Sequence, residues 1–370
     1  MLDFLKKVLK KFSDDARMRR RGFFTSFFNT TEEDYTDAEF VEIDIERNGD
    51  YVAPILKDAR TGAVVVDEDI FTEKKFKPPY AALSTPIPLM ELLQRQPGES
   101  DNLTERASWL GRLASKIVKQ LSKFHRMFKE NLELQCSQIL QSGKVSLENE
   151  KGEKVYELDF GMKTSHKPSA AISWKDTGAD PLADLAALCD AINDDGKATP
   201  SIAVFGREAW DAFIANEKVK EQIKRDGLGL GALNPATSGD YPLLNKGGRY
   251  MGYIDCGTYR LALWCYNDSY KKVGSSDMFK YMNPKNVIVT ADIADLDFRI
   301  VFGGIPTLGM KEPFAQIVPA TVTYDGFIRV HNRVFNDEKA DTYTCESKMR
   351  GLAIPVSIDR FGCLDINSAQ

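Results

Sequence analysis

The chain has only three histidines, His125, His166 and His331, and no two stand at the spacing of a metal-ligand pair. Its six cysteines, at 136, 189, 256, 265, 345 and 363, include no C-x-x-C pair. A zinc site and a dense disulfide framework are therefore not expected. The thiols read as small buried apolar residues of a protein made in a reducing cytoplasm. No apolar run reaches the length of about 18 residues that a membrane-spanning helix needs. The N-terminus also lacks the single hydrophobic block of a signal peptide, because lysines interleave its apolar residues.

Catalytic signatures are equally scarce. There is no G-x-x-x-x-G-K-[ST] loop and no G-x-S-x-G elbow, and no cysteine stands in a nucleophile setting. Gly227, Gly229 and Gly231 imitate a nucleotide loop, but they follow a helical stretch, and Asn234-Pro235 blocks a helix after them. They read as a surface loop. Asp292, Asp295 and Asp297 do not have Ca²⁺-loop spacing and read as solvent-facing residues flanking a strand. Carboxylates are abundant, yet no two are singled out by unequal surroundings. No catalytic, cofactor or metal residue is assigned. His125, beside Phe124 in a helical stretch, reads as a core-edge or interface residue.

What is present is a 370-residue chain, long enough for two or three domains, with an ordinary 43% apolar and 28% charged content. Its charge is unevenly placed. The formal net charge is −5, yet residues 1–22 carry +5 through Lys6, Lys7, Lys10, Lys11, Arg17, Arg19, Arg20 and Arg21. Leu2, Leu5, Val8, Leu9 and Phe12 recur there at helical spacing, which predicts an amphipathic basic helix followed by an arginine cluster. Four phenylalanines within 23–28 form an apolar patch expected to pack against something. Ala38–Ile45 alternates apolar and acidic residues, as a half-exposed strand does. Residues 57–80 read as a long hairpin with little core of its own. It carries an acidic piece, Asp67, Glu68 and Asp69, and a basic piece, Lys74, Lys75 and Lys77.

The longest regular element is predicted over 103–141. Asn102 and Glu105 supply a capping box, apolar residues recur from Leu103 to Phe128 in steps of three and four, and Gly143 stops it. Its length would be about 58 Å. A hairpin turning at Lys151-Gly152 follows, then a helix opened by Asp180-Pro181. A strand at Ser201–Phe205 and a helix over Arg207–Lys224 come next. Two strands then flank Gly257, and further β-prone runs lie at Asn286–Ala291, Phe298–Phe302, Thr321–Val330, Asp341–Ser347 and Gly351–Asp365. The fold class is α+β.

Six short stretches, in order, resemble the family of the major capsid protein E of phage lambda, which has the HK97 capsid fold. They are Phe27-Phe28 with Tyr51–Ile55; Phe76–Tyr80 running through Pro86–Leu93 to Arg95–Glu99; and Leu140–Lys144 at the end of the long helix. The others are Val155–Gly161; Trp174 with Asp180–Asp184; and Ser201–Phe205 with Trp210 and Val219. Together they span 23–225, and beyond 240 the likeness rests on strand pattern alone.

The resemblance implies an N-terminal arm over 1–50, an E-loop over 51–84 and a P-domain over 85–180 with its spine helix at about 103–141. An A-domain over 181–325 and a C-terminal return to the P-domain over 326–370 complete it. It implies a shell subunit of a tailed phage that assembles with itself as hexamers and pentamers around double-stranded DNA, with a portal at one vertex, outside any membrane. The expected location is the virion capsid, after assembly in the host cytoplasm; a decoration protein on the outer face is left open. Only about 50 residues precede the E-loop, so a separate scaffold protein and no maturation cleavage are expected. Asp67, Glu68, Asp69, Lys74, Lys75 and Lys77 are candidate E-loop contacts between neighbouring copies. Lys6, Lys7, Lys10, Lys11, Arg17, Arg19, Arg20 and Arg21 are candidate contacts to scaffold or DNA phosphates. The rivals are an encapsulin-type shell, which would hold protein cargo, and a cytoplasmic α+β enzyme, which would stay monomeric or dimeric.

Overall fold

One helix organises the protein. In this computed structural model, α1 spans Trp109–Ser142, 34 residues and about 51 Å. The structure describes residues 22–45, 72–88, 90, 109–149, 151–225, 247–305, 321–324, 328–337 and 342–368. The expected start of α1 at 103, with its capping box, lies outside them, as does the glycine loop at 227–239. Along α1, Leu113, Ile117, Leu121, Phe124, Phe128, Leu132, Cys136 and Ile139 are buried, following the helical period. Gly143 ends the helix at φ +67°, a left-handed conformation that glycine adopts without a Cβ clash.

The strands in chain order are β1 Val41–Ile45, β2 Thr72–Phe76, β3 Ala81–Pro88, β4 Lys144–Glu148, β5 Lys154–Asp159 and β6 Ser169–Ala170. Then come β7 Pro200–Phe205, β8 Arg249–Cys256, β9 Tyr259–Cys265, β10 Ser269–Lys271, β11 Met278–Lys280 and β12 Asn286–Ala291. The last are β13 Phe298–Phe302, β14 Thr321–Tyr324, β15 Arg329–Asp337, β16 Thr342–Met349, β17 Gly351–Pro355 and β18 Phe361–Ser368. The other helices are α2 Pro181–Gly196, α3 Arg207–Ala215 and α4 Glu217–Arg225.

Two larger sheets result. One has the order β14-β15-β16-β3 and the other β6-β18-β12-β7-β9-β8. Side chains alternate across a strand, so the six-stranded sheet feeds two cores at once. Ile202, Val204, Ile288 and Cys363 join the core around α1. Ala203, Phe205, Val287 and Leu364 join the core under α2 and α3 with Trp174, Trp210 and Phe213. Asp180 caps α2 by accepting the Ala183 amide, with Pro181 in the first turn, as its sequence requires.

Three expected elements divide. The helix expected over 207–224 breaks at Asn216, whose backbone is extended at ψ 134°. The Asn216 side chain accepts the Lys218 amide to cap α4 and donates to Ala179 O, so tertiary contact outweighs helical continuity. The run Thr321–Val330 is two antiparallel strands, with Tyr324 opposite Arg329. Asp325-Gly326, a strong turn pair, lies between them in the sequence. The run Gly351–Asp365 is β17 and β18, separated by the 3-10 turn Ile358–Arg360. β17 pairs with β13 whereas β18 pairs with β12, so the two halves of the run enter different sheets.

All six cysteines are free thiols; five are buried and Cys265 is half-buried. Burial pushes Cys189 and Cys256 up to about 12, the state of inert core thiols. His125 is buried on α1, with Nε2 3.3 Å from Asn332 Nδ2.

Candidate functional site

The candidate residues fall in the N-terminal stretch and in residues 57–80, so the site is where these two segments meet the body of the fold. The arm begins with the aromatic patch. Phe23, Phe24, Phe27 and Phe28 are fully buried, and Phe24–Phe27 form a 3-10 turn. Phe23 stacks on Tyr266 at 4.8 Å between ring centroids, and Phe28 meets Phe298 at 5.0 Å. The turn leaves amide N–H groups without helical partners, and Glu133 of α1 accepts them. Phe24 N donates to Glu133 Oε1 at 2.8 Å and Thr25 N to Oε2 at 2.9 Å. The Tyr266 hydroxyl donates to the same carboxylate at 3.2 Å. Burial raises the Glu133 carboxyl above the ordinary range, against the lowering effect of these donors, and burial likewise raises the Tyr266 hydroxyl. The chain passes so close that a Cβ on Gly22 would lie 2.2 Å from Glu133 Oε2.

From there the arm runs along β13. Asn29 N donates to Phe298 O at 2.8 Å and Thr36 N to Phe302 O at 2.9 Å, while Tyr35 stacks on Phe302. Two arginines fix the far end. Arg329 donates to Thr36 O at 2.9 Å and to Asp37 Oδ1 at 2.6 Å. Buried Arg350 donates to Gly304 O at 2.8 Å, Glu39 O at 3.1 Å and Pro78 O at 3.4 Å, so one guanidinium ties together both chain passages at the loop base.

Beyond this clamp the chain goes out as β1 and returns as β2. The two are antiparallel, with Val41 opposite Phe76, Glu42 opposite Lys75 and Ile43 opposite Lys74. Val41 and Phe76 are buried, and Phe76 packs on Phe160 at 5.7 Å. A pairing of the basic piece within 57–80 was expected; the ladder partner of Lys74 and Lys75 is the arm strand instead. The reason is register: Val41 and Phe76 bury together only when β2 lies against β1. Lys77 bonds its own subunit's Glu39 at 2.6 Å and holds the Glu39 carboxyl below its ordinary value. Asp67, Glu68 and Asp69 lie outside the described residues. So do Lys6, Lys7, Lys10, Lys11, Arg17, Arg19, Arg20 and Arg21.

Glu133, Arg329 and Arg350 were not singled out from the sequence. The sole signal near Glu133 is that apolar residues occupy several sides of α1 after Phe128, including Leu132, Leu134 and Cys136, so polar residues there become buried too. A surface depression of about 410 Å³ is lined by Arg207, Asp211, Arg249, Cys265 and Asp268. Burial raises its Cys265 thiol, which is the opposite of an activated nucleophile.

Solved structures share this architecture at low identity, which establishes the fold alone. A putative prophage capsid protein of E. coli CFT073 matches with TM-score 0.60 at 14% identity, over 96% of this chain and 97% of its own. The capsid of cyanophage A-1(L) matches with TM-score 0.51 at 9% identity, over 94% and 93%. A phage-related protein of Bordetella bronchiseptica RB50 matches with TM-score 0.50 at 14% identity, over 98% of each chain. No curated protein matches at a significant level. The pattern of the phage major capsid protein E family matches residues 16–309, most of the chain, and with the HK97-like capsid fold in place the chain belongs to that family of phage major capsid proteins.

Proposed function

We propose that copies of this chain assemble as pentamers and hexamers into an icosahedral shell around double-stranded DNA, in the host cytoplasm, with a separate scaffold protein and a portal at one vertex. In this reading residues 1–50 are the arm, 51–84 the E-loop, 85–180 the P-domain, 181–325 the A-domain and 326–370 the C-terminal return. The role is structural and its mechanism is assembly, in which many weak identical contacts cooperate.

The observation that supports this reading is the construction of the loop base. β1 and β2 form a two-stranded ladder held to the body at one end, through Val41, Phe76 and the Arg350 clamp. Two strands alone are marginal in water. In this reading a second copy covers the loop. In this reading Asp67, Glu68, Asp69, Lys74, Lys75 and Lys77 meet that copy, and the acidic three set the register of the contact.

The test is electron microscopy of the purified full chain, expressed alone and with its scaffold. Closed particles tens of nanometres across are expected. A compact monomer at high concentration under both conditions would overturn the reading.

A further inference from the structure

The outer face of α1 carries a line of positive charge. Between Trp109 and Lys129 the helix has six cations, Arg112, Lys116, Lys119, Lys123, Arg126 and Lys129, and no carboxylate. In a chain of net charge −5 this is not an average consequence of composition. Lys116, Lys119, Lys123 and Arg126 follow one another in steps of three and four, so they share one side of the helix over about 15 Å. Lys119, Lys123 and Arg126 are exposed and Lys116 is half-buried. Among the described residues, Lys119 and Lys123 pair with no carboxylate, and Arg126 reaches Glu130 only at 4.0 Å. Like charges at this spacing repel, so the stripe is a cost to the isolated helix that an anionic partner would remove.

The described part of the arm is seated farther along the same helix. Glu133, which seats the Phe24 and Thr25 amides, lies seven residues and about two turns beyond Arg126, on nearly the same side of α1. Gly22 therefore meets the helix about two turns beyond Arg126.

We propose that this face of α1 is a docking surface for the phosphate backbone of double-stranded DNA, and so the face turned to the shell interior. The inference rests on the reading of the chain as a DNA-enclosing shell and names the surface that meets the DNA. Phosphates fit better than an acidic protein, because protein interfaces are centred on apolar anchors. Among the α1 side chains that the structure describes, 111–142, none is an exposed large hydrophobic. A row of cations without apolar anchors is the footprint of a sequence-independent polyanion.

The test is binding of the full chain to a random-sequence duplex of about 30 base pairs, followed by fluorescence anisotropy from about 50 to 200 mM salt. The triple variant K119Q/K123Q/R126Q should bind at least about tenfold more weakly at low salt. Its log–log salt slope should fall by about two to three, near 0.9 for each phosphate that is no longer neutralised. Circular dichroism should match the parent and thermal melting should be no lower, because all three side chains are exposed and their mutual repulsion is removed. K175Q/K218Q, which removes two exposed cations elsewhere, should leave the slope unchanged. An unchanged slope in the triple variant overturns the proposal, as does an equal loss in K175Q/K218Q. Polyglutamate bound as tightly as the duplex, and released in the same triple variant, would assign the face to an acidic protein instead. Particle formation by the parent, scored by microscopy, separates failure here from failure of the shell reading.

Discussion

Glu133 on the long helix accepts the backbone amide of Phe24 at 2.8 Å across 109 residues of sequence. The contact makes the arm part of the subunit's own core before any neighbour is present. The donors that converge on this buried carboxylate from Phe24, Thr25 and Tyr266 are neutral groups.

Replacing Glu133→Gln keeps the shape but turns one acceptor into a donor facing an amide N–H. The arm seat should lose about 1–3 kcal/mol, the cost of leaving a buried donor unpaired. Limited proteolysis should cut faster between Gly22 and Asn29 while the melting of the body changes less. Unaltered protection of the arm would show that the aromatic packing alone holds it.

The same residue sets a pH dependence. The folded-state pKa of Glu133 is raised above its ordinary value of 4.5, chiefly by burial. The folded state thus holds this proton more tightly than the unfolded state. Its contribution is fully present below the ordinary value and is lost as pH rises through the raised one. The stability of the parent relative to Glu133→Gln should therefore increase as pH falls from neutral toward 4.5. Denaturant melts of both proteins across that range check this; a gap constant with pH would contradict it.

Gly143 sits at φ +67°, and a Cβ there would lie 2.4 Å from the Met162 Cβ. Gly143→Ala should destabilise the subunit by about 1–3 kcal/mol, combining left-handed strain with overpacking. A chemical-denaturation midpoint measures it. Little change would mean that the β4–β5 hairpin shifts freely against the helix end.

Arg350→Ala removes the donor shared by Glu39 O, Pro78 O and Gly304 O. A loss of about 2–3 kcal/mol is expected, with faster protease cleavage within 46–71 than in the parent. Arg350→Lys should recover only part, because an ammonium does not reproduce the planar fork. Full recovery by lysine would show that charge alone matters at the loop base.

The triple replacement of Asp67, Glu68 and Asp69 by Asn, Gln and Asn should leave the subunit folded. Isolated exposed ion pairs are worth about 0–1 kcal/mol each, but the same small contribution acts at every addition of a subunit to the shell. Assembly followed by light scattering should be slower or less regular than in the parent, and less sensitive to salt. Identical kinetics at low and high salt would show that these carboxylates face water only.

By itself the sequence determined the elements whose signal is local. The apolar period of α1, the stop at Gly143, the Asp180-Pro181 start of α2 and the turn at Gly257 all depend on residues within a few positions of one another. The same locality made the buried phenylalanines of the arm legible as an apolar patch. Only the tertiary structure decided what that patch packs against. Glu133 reads in sequence as one more helix carboxylate, Arg350 as one more surface cation, and Asn216 as a residue inside a continuous helix. Each took its role from partners far along the chain: Phe24 for Glu133, Glu39 and Pro78 for Arg350, Ala179 for Asn216. Strand pairing followed the same rule, since β2 chose the arm strand and β18 left β17 for β12. Local backbone preference is encoded within a turn or a strand. The choice among distant partners depends on which pairing buries apolar surface and satisfies every interior polar group at once, and that sum exists only in the folded chain.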